Sequence, residues 1–92
     1  MVAGYEDEKE VDATLRGVLV DVLGLPHAQV ASFDEATPLF GALPEFDSMA
    51  VAGLLTELEE RLGILIDDHE VNADMLETYG SLLTFARAKA LQ

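Results

Sequence analysis

Residues 46–63 read FDSMAVAGLLTELEERLG, and this stretch decides the fold. Asp47 suits a helix N-cap, because its carboxylate can accept a backbone N–H of the first turn. Val51, Leu54, Leu55, Leu58 and Leu62 then recur at three- and four-residue spacings, which predicts one apolar face of a helix. Thr56, Glu57, Glu59, Glu60 and Arg61 take the other faces. Gly63 fits the left-handed residue that ends a helix. Ser48 falls in the first turn, where backbone N–H groups lack partners and the positive pole of the helix favours an anionic ester. Serines at helix starts are commonly caps, so the local pattern alone leaves Ser48 with two readings.

Upstream, Val11, Leu15, Val18, Leu19, Val22 and Leu23 predict an earlier amphipathic helix, stopped by Gly24 and Pro26. Gly17 inside it costs about 1 kcal/mol relative to alanine and suggests a close helix approach. Residues 1–8 are acidic and aperiodic, so a flexible tail is expected there. Residues 24–47 hold Pro26, Pro38, Gly41 and Pro44 and read as a long loop. A loop of this length in a compact domain is commonly functional or disordered. Its apolar residues Val30, Phe33, Leu39, Phe40 and Leu43 argue against disorder, with Phe33 and Phe40 as the main anchors.

Downstream, Ile64-Leu65-Ile66 has strand propensity but no second strand to pair with, so it reads as an extended linker plugging the core. A short third helix is expected from Asp67-Asp68-His69-Glu70 to about Leu76. A last helix opens at Gly80 or Ser81 and turns Leu82, Leu83, Phe85, Ala86 and Ala90 inward. Arg87 and Lys89 lie near its C-terminus, where cations are favoured. The expectation is a single all-α domain over residues 1–92: a four-helix bundle of three longer helices and one short third helix, with a long loop between the first two.

Composition narrows the function. Eighteen acids against five bases give a formal charge of −13. Nucleic acid and anionic membrane surfaces are poor partners for such a chain; proteins with basic patches are natural ones. The chain has no cysteine, which excludes disulfides, Cys-ligated zinc and a Cys nucleophile. No run of about 18 apolar residues suggests a membrane span, and the N-terminus does not resemble a secretory signal, so a cytoplasmic location is expected. His27 and His69 lack partners at metal-ligand spacing. Asp67-Asp68 with Asp74 does not make an EF-hand loop, and no metal site is expected.

Leu39-Phe40-Gly41, Phe46-Asp47-Ser48-Met49, Leu54-Leu55, Leu58-Glu59-Glu60-Arg61-Leu62-Gly63-Ile64 and Ile66-Asp67-Asp68 together resemble the acyl carrier protein family. The resemblance runs from about Val11 to Leu91. It implies a four-helix bundle of acyl-carrier type in which Ser48 carries 4′-phosphopantetheine, installed from coenzyme A by a phosphopantetheinyl transferase. Asp47 matches the aspartate that helps organise the transferase's magnesium site, and Met49 packs near the arm. The arm ends in a thiol, so a chain without cysteine can carry thioesters. The protein would be a monomeric, non-catalytic carrier. It would present acyl intermediates to enzymes of fatty acid biosynthesis or other lipid, polyketide or related acyl-transfer metabolism. From Glu45 to Glu77 ten acids stand against one arginine. Glu57, Glu60, Asp67, Asp68, Glu70 and Asp74 are the candidates for docking basic partner enzymes.

Three departures from the family pattern suggest a specialised carrier. Met49 replaces the usual leucine, Gly53 replaces an acidic partner-binding residue, and Pro44-Glu45-Phe46 replaces smaller residues. An aminoacyl or peptidyl carrier is the nearest alternative, although its usual Gly-Gly context is missing. A cofactor-free acidic helical adaptor is a further one. A serine hydrolase in so short a chain, with no histidine placed near Ser48 in sequence, is disfavoured.

Overall fold

The computed structural model describes residues 8–91. The expected tail falls mostly on residues 1–7, which lie outside the described residues; position 8 already belongs to a helix. Five helices follow in order: α1 (Glu8–Leu23), α2 (His27–Ala31), α3 (Ser48–Leu62), α4 (Ala73–Leu76) and α5 (Tyr79–Ala90), with a 3₁₀ turn at Asp68–Glu70. The all-α bundle expected from the sequence is the fold observed. Among the described residues no helix is long and apolar enough to cross a membrane.

The helix ends follow their local chemistry. Gly24, at φ 70°, closes α1, and Gly63, at φ 65°, closes α3. Both need the left-handed region, which costs a residue with a Cβ more than it costs glycine. Asp47 accepts the Ala50 amide at 2.9 Å and caps α3 as expected.

Three readings of the loops are corrected. Residues 24–47 contain a helix of their own, α2, which Pro26 precedes in an extended conformation. Five residues are too few for a periodic signal. The expected third helix is broken: Val71, in β conformation, ends the 3₁₀ turn, and Asn72 starts α4 afresh by accepting the Met75 amide at 2.9 Å. The last helix begins one residue early, at Tyr79. There the Thr78 amide donates to Ser81 Oγ and the Ser81 amide donates to Thr78 Oγ1, each at 3.1 Å, a reciprocal capping box.

The core is one cluster. Val11, Leu15, Val18, Leu19 and Leu23 of α1 meet Leu54, Leu58 and Leu62 of α3 and Leu82, Leu83 and Ala86 of α5. Burying each large aliphatic side chain contributes about 1.5–3 kcal/mol, so the three long helices stand or fall together. Phe33 is buried, but Phe40 is 39% exposed. The second loop anchor is instead Leu39, assisted by Phe46. The Leu39 and Phe40 amides donate to the Glu77 and Leu76 carbonyls at 2.8 and 3.1 Å. The antiparallel bridge of Pro38 with Thr78 ends there, and a turn begins in which the Leu39 carbonyl accepts the Ala42 and Leu43 amides. Leu39 enters the core, while Phe40 rests edge-on against the Phe46 ring, centroids 5.7 Å apart.

A polar clasp closes the other end of the loop. The Arg16 guanidinium donates to the Val30 and Phe33 carbonyls at 2.6 and 3.1 Å and to Asp12 at 3.0 Å. It also lies 4.6 Å from the centroid of the Tyr79 ring. The Tyr79 hydroxyl donates to Asp12 Oδ1. One arginine thereby ties α1, the end of α2 and the start of α5 together.

Candidate functional site

Ser48 is the first residue of α3 and is exposed. Its position follows from two neighbours. Phe46 is buried and pins the end of the loop, and Asp47 then turns the chain into the helix. As first residues of the helix, Ser48 and Met49 have amides with no intrahelical carbonyl to bond. An exposed hydroxyl beside such amides fits a phosphodiester, which needs access for the transferring enzyme and donors for its oxygens.

Ser48 also stands at the mouth of an open groove of about 490 Å³, lined by Val51, Ala52, Leu55, Thr56, Glu59, Ile66, Asp68 and Val71. The α3 residues in it fall at i, i+3, i+4, i+7 and i+8 from Ser48, with Glu59 a turn further on, so they form one stripe of the helix. The opposite wall is the segment 66–71. Glu59 joins the two walls, its Oε2 accepting the Ile66 amide at 2.8 Å. Sequence reasoning named only Ser48 and Asp68 of this lining as site residues. The spacing from Ser48 through Thr56 to Glu59 marks the stripe in hindsight, but nothing in the sequence places residues 66–71 opposite it.

Met49 does not belong to the core or to the groove lining; it is 84% exposed beside Ser48. Gly53 is half-buried against α1, where an added Cβ would meet Val22 Cγ1 at 3.4 Å.

The six acids singled out from the sequence fall into two sets. Glu60, Asp67, Asp68 and Asp74 are exposed. Glu57 and Glu70 are engaged within the chain. Arg61 bridges Glu57 at 2.9 Å and Asp21 of α1 at 2.6 Å. Asp21 first and then Glu57 raise the guanidinium's proton affinity. Glu70 pairs with Lys89 of α5 at 3.0 Å and accepts the Asp67 amide at 3.1 Å. Lys89 first and then that amide hold the Glu70 carboxyl below its ordinary range. Among the described residues no three acidic or histidine side chains are grouped so that they could hold a metal ion.

The chain matches the family described as phosphopantetheine attachment site over residues 13–88. Among solved structures it is similar to the solution NMR structure of a holo acyl carrier protein from Nitrosomonas europaea, at 38% sequence identity. That similarity covers 87% of this chain and 94% of the other, with a TM-score of 0.76. No match was found among curated proteins.

Proposed function

The chain belongs to the acyl carrier protein family, whose members are non-catalytic carriers with a covalently bound 4′-phosphopantetheine, and from that premise we propose that Ser48 is the attachment residue. The observation that carries this is the exposed Ser48 hydroxyl at the head of α3, directly after the capping Asp47 and at the mouth of the groove. Asp47 keeps the serine in the first turn and sits where the transferase's magnesium site is organised in the family. Met49 gives the transferase and later partners an apolar contact beside the arm.

The cargo in this reading is an acyl intermediate, held as a thioester and presented to enzymes of lipid, polyketide or related acyl-transfer metabolism. The whole chain acts as one monomeric carrier domain in the cytoplasm. Partner enzymes bring basic patches to Glu60, Asp67, Asp68 and Asp74. Glu57 and Glu70, already paired with Arg61 and Lys89 inside the chain, contribute less to those contacts. Those contacts speed association and weaken with salt.

The test is intact mass after incubation with coenzyme A, magnesium and a broad-specificity phosphopantetheinyl transferase. Wild type gains one phosphopantetheine and Ser48→Ala gains none. A gain on the alanine variant would move the site elsewhere. No gain on folded wild type with an active transferase would overturn the assignment.

A further inference from the structure

Lys89 is a cation set against the acids that partner enzymes are to meet. It lies in the last turn of α5, and its ammonium reaches back to the 3₁₀ turn: Nζ stands 3.0 Å from Glu70 Oε1 and donates to Oε2 at 3.1 Å. Side-chain exposures of 19% for Lys89 and 23% for Glu70 show a largely shielded pair. Water and salt screen such a pair less than one open to solvent.

The turn itself has no apolar anchor. None of Asp68, His69 and Glu70 is buried. Polar bonds give it its shape. The Asp67 amide donates to Glu70 Oε2 at 3.1 Å, the Glu70 amide to the Asp67 carbonyl at 2.9 Å, and the Ile66 amide to Glu59 at 2.8 Å. Glu70 Oε2 therefore receives the Asp67 amide and the Lys89 ammonium together. Leu82, Leu83 and Ala86 seat α5 in the core, so Lys89 ties an exposed turn to a rigid element. Asp67 and Asp68 are exposed, and Asp68 lines the same groove as Ser48. An enzyme that reaches Ser48 from this side meets both acids.

Long-range electrostatics alone assigns Lys89 the opposite effect. A cation near docking acids repels a basic partner, so its removal should tighten docking. A tether predicts looser docking instead. Without the ammonium, Glu70 is freer to leave the Asp67 amide, and the partner must reorder the turn as it binds.

We propose that Lys89 is a positioning residue for partner docking: through Glu70 it holds Asp67 and Asp68 in the arrangement that a basic partner reads, and this outweighs its own repulsion. The proposal rests on docking through those two acids.

The test is the reaction with coenzyme A, magnesium and a broad-specificity phosphopantetheinyl transferase at low ionic strength, with KM for the carrier and kcat read separately. Lys89→Met keeps the length of the side chain and removes its charge. Its KM should rise about three- to tenfold, in inverse proportion to the fraction of turns left in the docking shape, while kcat stays at the wild-type value. Lys89→Arg should restore the wild-type KM. In Lys89→Met, hydrogen exchange should quicken at the Glu70 and Val71 amides and stay as in wild type along α1 and α3, which marks a folded chain. An unchanged or lower KM for Lys89→Met would overturn the positioning role. Asp67→Asn combined with Asp68→Asn checks the premise. If its KM rises and that of Lys89→Met does not, the docking acids stand and the role of Lys89 falls. If it keeps the wild-type KM, docking through these acids falls and the proposal with it.

Discussion

Tyr79→Phe isolates one bond of the clasp that holds the first loop. The ring is almost wholly buried, at 1% exposure, and packs against Phe33 with centroids 6.0 Å apart. Phenylalanine fills the same space, so the change removes only the hydroxyl and its bond to Asp12. A hydrogen bond to a charged acceptor contributes about 1.5–3 kcal/mol. Asp12 is partly exposed and keeps Arg16, and water can replace part of what is lost, so the expected cost is about 1–2 kcal/mol. For a domain of this size that lowers Tm by roughly 4–16 °C.

The cost should depend on pH. Burial works to raise the Asp12 carboxyl's proton affinity, but the Tyr79 hydroxyl and Arg16 outweigh it and hold the carboxyl below its ordinary range. A depressed carboxyl contributes stability that is present above its unfolded value, about pH 3.9, and is lost as pH falls through the folded value. The deficit of the variant should therefore be full at pH 7 and shrink below about pH 4. Burial first, and Asp12 second, push the Tyr79 hydroxyl up, so it stays protonated across this range. Urea unfolding of both proteins at pH 7 and pH 3, with matched m-values, reads the difference directly. Comparing the two proteins at each pH cancels the general relief of repulsion that acid brings to so acidic a chain. A variant within about 0.3 kcal/mol of wild type at pH 7, or a deficit undiminished at pH 3, would refute the reasoning.

The remaining expectations concern glycines and charge. Gly80→Ala would place a Cβ 2.7 Å from the Glu35 carbonyl, which accepts the Gly80 amide; the backbone must shift, and thermal melting should show a loss of about 1–3 kcal/mol. Gly53→Ala meets only Val22 at 3.4 Å. The gain in helix propensity should dominate, raising stability by about 0.5–1 kcal/mol in urea titrations. With a net charge of −13, added salt or a divalent cation should raise Tm by roughly 5 °C, as screening weakens repulsion among the acids. A melting curve that moves with neither would refute the view that repulsion among the acids costs the fold stability.

Features set by neighbouring residues were legible in advance. The apolar faces of α1 and α3, the Asp47 cap and the left-handed Gly63 each depend on contacts within about one helical turn. The place of Ser48 in the first turn of α3 was legible because a helix start and its cap are local as well. Signals for some of the misses were also local: the Thr78…Ser81 spacing of a capping box, and the Asp12…Arg16 pair one turn apart. Phe40 misled because hydrophobicity says that a ring should be covered, not which of two adjacent side chains turns inward. The pairing of Leu39 with Glu77, thirty-eight residues on, makes that choice.

By itself the sequence determined the helical class, the three long helices and the exposed serine at the head of α3. Their periodicity and caps act over three or four residues and persist whatever surrounds them. Only the tertiary structure decided that Arg16 serves α2 and Tyr79 as well as Asp12, that Arg61 reaches Asp21 of α1, and that Glu70 is engaged by Lys89. It also decided that α3 and residues 66–71 enclose a groove with an apolar floor and acceptors in its lining. Each of these requires side chains far apart in the chain to meet, and their meeting is set by how the apolar faces pack, which no local pattern specifies.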